Sequence, residues 1–312
     1  MHYRRRMRLG VLDVGSNTVH LQVIDGHRGA RPVHNSSFKS ELRLTDFLDG
    51  DGKISSDGIN SLKRVIADSV AEANRLETDE ILAFATSAIR EAENGAEIIT
   101  SLNQEFGIDL QVLSGEEEAN FTFLAVRRWL GWSSGDLLVI DIGGGSLEVA
   151  AGGDESPEVA HSYPVGASRM TRKYLRGDPF STKSLEALQD HFHSTLKTLV
   201  EELSPFNSFR VIGTSKTLRT LARISREFFG TADGIIESKS LEVMTKRLAG
   251  MTLGERAKLP RVSTNRADQI VAGALLARHL VRELSIPSIE ICPWALREGI
   301  VLRRLDWLEG ID

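Results

Sequence analysis

The chain has 312 residues, 41% of them hydrophobic and 26% charged, with 38 Lys and Arg against 43 Asp and Glu. That length and balance describe a globular protein of about two domains, and the net charge of −5 excludes a general nucleic-acid binder, which carries a large positive excess. One cysteine, Cys292, leaves no intramolecular disulfide or zinc cluster and fits a reducing compartment, where it reads as a small buried hydrophobe.

The basic start MHYRRRMRLG runs into VLDVGSNTVHL, which Asp13, Ser16 and Asn17 interrupt, so no signal-peptide apolar core follows. No run reaches the roughly 18 apolar residues of a membrane span, and the expectation is a cytoplasmic protein with no membrane partner. Residues 9–24 then read as strand, tight turn and strand, a β-hairpin. Ile59, Leu62, Val65, Ile66, Val70 and Ala73 fall at helical spacing and predict a helix over about 55–76. A strand at 81–86, a helix near 93–105, a short strand LQVLS and a helix over about 116–130 follow. GWSSGD, at 131–136, reads as a linker-like turn, and a second hairpin spans 137–152. Helices near 166–176 and 182–203 and a strand at 209–213 come next, then mostly helix to the end. Alternating strands and helices predict an α/β protein, here with domains over 1–128 and 129–312 and room for the last helix, about 296–312, to pack back on the first.

The two hairpins are copies. LGVLDVGSNTVHLQVI at 9–24 lines up without a gap on LLVIDIGGGSLEVAAG at 137–152, so that Asp13 matches Asp141, Gly15 matches Gly143 and Thr18 matches Ser146, always 128 residues apart. Consecutive glycines are costly, about 0.5–1 kcal/mol each relative to Ala in a regular element. Bare backbone lets N–H groups approach an anion, so Gly15, Ser16, Asn17 and Thr18, with Gly143, Gly144, Gly145 and Ser146, are the candidate phosphate cradles. Two such turns facing one ligand would offer it two rows of N–H groups.

Asp13 and Asp141 end their strands beside the turns, where a carboxylate can hold a hard cation directly or through water. Glu148, two residues past the second turn, reads on its own as a solvent-facing strand acid, and its counterpart in the first copy is His20. In SGEEEAN, Ser114 and Glu117 form a capping box. Helical spacing then leaves Glu118 at the edge of the apolar face of Phe121, Leu124, Ala125 and Trp129, the glutamate best placed to point inward. Arg90 follows the strand at 81–86 and can bind phosphate through two N–H groups. Gly213, Thr214 and Ser215 stand between a strand and a helix and can aim a helix N-terminus at an anion, with Lys216 adding a cation. Lys216, Arg219, Arg223 and Arg226, and again Arg169, Arg172, Lys173 and Arg176, lie at helical spacing and form two basic stripes suited to steering a polyanion. His191 and His193 are two apart on a predicted helix and share no face.

The hairpin turns D-V-G-S-N-T and D-I-G-G-G-S-L-E, with S-G-E-E-E-A, T-S-A-I-R, G-T-S-K-T, R-A-D-Q-I and L-R-E-G in that family's order, resemble the exopolyphosphatase and guanosine pentaphosphate phosphohydrolase family. The resemblance implies two actin-like (ribonuclease H-like) α/β domains with an interdomain cleft. It implies Glu118, Glu148 and Arg90 as catalytic residues, Asp141, Glu148 and Asp13 around Mg²⁺, with Mn²⁺ as the substitute, and the two turns with Gly213, Thr214, Ser215 and Lys216 around phosphate. The implied activity is removal of the terminal phosphate of inorganic polyphosphate. Hydrolysis of guanosine pentaphosphate (pppGpp), an ATP-dependent kinase, and a non-catalytic sensor of polyphosphate or (p)ppGpp are the alternatives. Lys216 stands where the family often has a small residue, which favours an unadorned polyphosphate over a nucleotide. Larger members continue into a further helical region, so a chain ending at Asp312 is expected to favour short polymers, and the family is expected to form homodimers.

Overall fold

The computed structural model describes residues 7–27, 31–204, 209–260 and 262–307. The basic residues 1–6 and the last five residues of the expected terminal helix lie outside the described residues. The chain forms two compact units, one built from the chain up to Phe121 together with the segment from Leu296 on, the other from Thr122–Ala295.

In the first unit, β1 (Met7–Val14) and β2 (Thr18–Gly26) form the hairpin, and β3 (Val33–Glu41) extends it antiparallel. After α1 (Ser56–Arg75), β4 (Glu80–Ala85) lies parallel to β1; the short α2 (Ser87–Arg90) and α3 (Gly95–Phe106) lead to β5 (Leu110–Val112), parallel to β4. The sheet order is β3-β2-β1-β4-β5. The division between units falls within α4 (Gly115–Leu130).

The second unit repeats the plan. β6 (Leu137–Ile142), β7 (Leu147–Gly152) and β8 (Val159–Tyr163) form an antiparallel meander, followed by α5 (Ala167–Tyr174) and α6 (Thr182–Leu203). β9 (Arg210–Gly213) lies parallel to β6. Then come α7 (Lys216–Phe229), β10 (Ile235–Glu237), α8 (Ser238–Ala249), α9 (Leu253–Ala257), α10 (Thr264–Glu283), β11 (Ser288–Ile291) and α11 (Leu296–Trp307). Its order, β10-β11-β9-β6-β7-β8, matches the first sheet strand for strand, with β10 added at the edge.

Four strands are absent from the sequence reading. β3 (VHNSSFKSE) and β8 (VAHSY) are edge strands, half-exposed and polar enough to lose the alternation signal. β10 and β11 are only three and four residues long, so the stretch after residue 213 is not simply helix. GWSSGD is a tight turn within the second unit, fastened by the buried Arg127, whose Nη1 donates to Gly135 O at 2.8 Å and Ser134 Oγ at 3.0 Å.

Strand alternation sorts the first core. Leu12, Val14, Leu21 and Val23 face α1 and α3, meeting Leu62, Ile66, Ile98 and Leu102. Leu9, Val11, Ile24 and Phe84 face the other way and are covered by Val301 and Leu305 of α11. A buried hydrogen bond from Gln22 Nε2 to Glu298 Oε1, 3.0 Å, joins β2 to the same helix. The helix sits so close that a Cβ on Gly299 would stand 1.9 Å from Phe121 O. Backbone on both sides cannot give way, so Gly299→Ala is expected to destabilise the protein by about 1–3 kcal/mol or more, read as a lower urea midpoint; an unchanged midpoint would show that α11 does not need this contact.

Candidate active site

In each unit the candidate residues gather at the carboxyl ends of the parallel strands, where open α/β sheets place their ligands. In the first unit the turn Gly15–Thr18 follows β1, α2 follows β4, and α4 follows β5. The turn is closed by Gly15 N–H donating to Thr18 O at 3.0 Å, and Ser16 Oγ lies 2.9 Å from Ser87 Oγ at the start of α2. Ser114 caps α4 reciprocally with Glu117: Glu117 N–H donates to Ser114 Oγ at 3.1 Å, and Ser114 N–H to Glu117 Oε2 at 2.7 Å. Glu117 is therefore spent on the cap, and one residue on Glu118 turns inward, 6% exposed. Arg90 forms a close ion pair with Glu118 through Nη1, which also donates to Leu113 O at 2.7 Å. The remaining guanidinium N–H groups of Arg90 find no acceptor among the described residues and stay available for an anion.

In the second unit Gly143 N–H donates to Ser146 O at 2.9 Å, the same closure as in the first turn. What differs is the grip behind it. Gly166 N–H, Ala167 N–H and Arg169 N–H, at the start of α5, donate to Gly145 O (3.1 Å), Gly143 O (2.9 Å) and Gly144 O (3.0 Å), and Arg169 Nε adds a second bond to Gly145 O at 2.9 Å. In a trans peptide the C=O and the next N–H point in opposite directions. Three carbonyls held by α5 therefore turn the N–H groups of Gly144, Gly145 and Ser146 away from it, and none of the described residues accepts from them. Gly143 is not in the left-handed region; closeness is what demands bare backbone at Gly166, where a Cβ would lie 2.4 Å from both Gly145 C and Ser146 N.

The hairpin register pairs Asp141 with Glu148 just as it pairs Asp13 with His20, and directly opposed residues project from one face of a sheet. Glu148 is 6% exposed rather than solvent-facing, and its Oε1 accepts from Ser162 Oγ at 2.8 Å. Ser162 lies opposite it on β8, a strand too weakly patterned to flag in advance. Asp141 Oδ2 accepts from Thr214 Oγ1 at 2.5 Å. Burial pushes the Asp141 carboxyl above the usual carboxylate range, against the opposing pull of the Thr214 hydrogen bond and the Arg219 charge. Two desolvated acids on one face suit a hard cation, which relieves both their mutual repulsion and their desolvation. Among the described residues no three His, Cys, Asp or Glu side chains cluster in metal-holding fashion. Asp141 and Glu148 are cross-strand neighbours in the second unit, and Asp13 belongs to the first.

The G-T-S-K turn is largely committed elsewhere. A Cβ on Gly213 would meet Leu218 Cδ1 at 2.8 Å and Ile289 Cγ2 at 2.9 Å, so this glycine serves packing. Thr214 N–H donates to Ile140 O at 3.2 Å, its hydroxyl serves Asp141, and Ser215 Oγ caps α7 by accepting from Leu218 N–H at 3.2 Å. Lys216 is exposed at the first turn of α7. The basic stripes do not survive as drawn. Arg219 folds inward, donating to Pro293 O at 2.9 Å, and Arg226 pairs with Asp233 at 3.0 Å. α5 ends at Tyr174, and Arg176 curls back onto the carbonyls of Arg172 and Leu175, both at 2.8 Å. His191 stacks on Tyr174, ring centroids 4.8 Å apart.

Two sheets of one strand order, each opening on a hairpin whose turn carries an acid and small residues, define an actin-like α/β protein of the phosphate-handling class. Comparison with known proteins narrows the class: a profile of the Ppx/GppA phosphatase family matches residues 23–307, and the chain belongs to that family. It is 47% identical to Exopolyphosphatase 1 of Mycobacterium tuberculosis over 308 residues, 96% of this chain and 89% of that protein. Exopolyphosphatase 1 of Mycobacterium leprae is 46% identical, again over 96% of this chain and 90% of its own length. Among solved structures, an exopolyphosphatase from Cytophaga hutchinsonii superposes with a TM-score of 0.87 at 25% identity, covering 96% of this chain and 98% of its own. The Ppx/GppA family member of Aquifex aeolicus, 21% identical, shares the fold with a TM-score of 0.80, covering 99% and 100% of the two chains.

The raised Asp141 pKa carries a sign. A folded-state pKa above the unfolded value means that folding disfavours the ionised carboxyl, so stability falls as pH rises through the unfolded value toward the folded one. In metal-free protein, Asp141→Asn should melt higher than wild type at pH 7, and the gap should close as pH drops below about 4, where both states are protonated. Thermal melts across that range check it; a lower melting temperature for the variant at pH 7 contradicts the assigned burial cost.

Proposed function

We infer that the protein is an exopolyphosphatase that removes the terminal phosphate of inorganic polyphosphate by attack of water. The observation that carries this reading is the row of N–H groups at Gly144, Gly145 and Ser146, without an acceptor among the described residues and beside the half-buried Asp141 and the buried Glu148, in a chain 47% identical to an exopolyphosphatase. Those N–H groups and the Ser146 hydroxyl bind oxygens of a phosphoryl group. Glu118 takes the proton from water as its oxygen bonds to phosphorus, while the bridging P–O bond breaks and the shortened chain leaves with the electron pair. Arg90 keeps Glu118 in place through one guanidinium nitrogen and offers the others to phosphate oxygens.

Asp141 and Glu148 would hold Mg²⁺, oriented by the hydroxyls of Thr214 and Ser162. Bound there, the ion supplies charge neutralisation on the phosphoryl oxygens. The exposed Lys216 adds a cation at the start of α7 and favours a bare polyphosphate over a nucleotide. No helix among the described residues is long and apolar enough to cross a membrane, in keeping with a water-borne substrate.

Phosphate release from polyphosphates of several lengths and from guanosine pentaphosphate, with and without EDTA, tests the reading. Release from polyphosphate is expected, lost with EDTA and reduced at least about 100-fold in Glu118→Gln. Turnover of guanosine pentaphosphate alone would move the assignment to the nucleotide, and strong thermal stabilisation by Mg-ATP without hydrolysis would point to a kinase.

A further inference from the structure

The grip on the second turn does more than close a loop, and it is unequal to that on the first. In the first turn the Asn17 carbonyl accepts from Leu42 and Arg43 N–H, both at 3.2 Å, and the Arg43 side chain is turned to Asp46 at 3.0 Å. In the second turn three successive carbonyls are taken by α5, and a guanidinium is added at Gly145 O. We propose that Arg169 is a positioning residue for phosphate recognition, fixing and polarising the Gly145–Ser146 peptide from behind so that its N–H, with those of Gly144 and Gly145, faces the phosphoryl group. This rests on the exopolyphosphatase reading for the identity of the ligand.

Three features support it. Arg169 bonds through both its backbone N–H, to Gly144 O, and its side-chain Nε, to Gly145 O, so it pins two adjacent peptide planes against rotation. A donor carrying full charge makes a stronger hydrogen bond than a neutral one, and polarising the carbonyl of a peptide strengthens the N–H of that same peptide as a donor. The half-buried side chain, on the loop's carbonyl side, adds positive charge near the anion without occupying the ligand's place. Gly166 completes the device, since the Gly144–Ser146 backbone fills the space a Cβ would need there.

The test separates this role from mere stability. In a Glu118→Gln background, which slows turnover, tripolyphosphate binding in the presence of Mg²⁺ is measured by calorimetry for Arg169, Arg169→Lys and Arg169→Gln, with melting temperatures recorded alongside. Arg169→Gln is expected to weaken binding at least about tenfold, with Arg169→Lys in between, because charge and donor are lost in steps while the fold is kept. In the otherwise wild-type enzyme the same order is expected in KM and in inhibition by inorganic phosphate. Unchanged tripolyphosphate affinity in Arg169→Gln overturns the proposal. If that variant fails to fold, Arg169→Lys decides, and an affinity equal to that of Arg169 overturns it. The two readings fail separately: a protein that binds tripolyphosphate through Arg169 yet releases no phosphate in its wild-type form overturns the exopolyphosphatase reading alone.

Discussion

The second turn depends on one constraint: a trans peptide cannot aim its carbonyl and its N–H at the same place. Once the opening N–H groups of α5 accept the burden of Gly143, Gly144 and Gly145 carbonyls, the opposite side of the loop is a row of donors whether or not a ligand is present. The missing side chain at Gly166 allows the approach. Pre-organised donors lose no orientational freedom on binding, which is how a static loop can recognise a group of high charge. The entropy lost by consecutive glycines is in this way converted into fixed geometry.

The acids are organised by their neighbours too, each held by a neutral or cationic group. Asp141 and Glu148 are cross-strand partners, and each has a hydroxyl, Thr214 or Ser162, on one oxygen. Neutral donors orient the carboxylates without cancelling their charge, so a cation still gains by approaching. Glu118 is treated differently, with a guanidinium against it. That pairing keeps a buried charge tolerable while the other N–H groups of Arg90 find no acceptor among the described residues. Two acids oriented by hydroxyls and one restrained by an arginine is a difference that burial alone would not produce.

Much of the fold was readable because it is written in local periodicity. The hairpins, the long helices and the parallel strands carry alternation or 3.6-residue spacing, and the inward turn of Glu118 follows from the Ser114–Glu117 cap and the apolar face of α4. The edge strands β3 and β8 escaped notice because an edge strand has only one neighbour and tolerates polar residues along its length. Helical spacing places Arg219 and Arg169 in basic stripes, yet packing turns both to backbone carbonyls, because spacing says that residues share a face, not what lies opposite that face.

The sequence by itself determined the duplicated hairpin, the acid at the end of each first strand, the glycine turn and the family to which these belong, since all are matters of order and short spacing. Tertiary structure decided which donors the site keeps. Arg169 reaches Gly145 across 24 residues, Ser162 reaches Glu148 across 14, and Thr214 reaches Asp141 across 73. Each of these contacts either commits a polar group or frees one. Hydrogen-bonding capacity is finite and directional, so the loop's chemistry is defined by where its carbonyls are spent, and only the packing of distant segments fixes that.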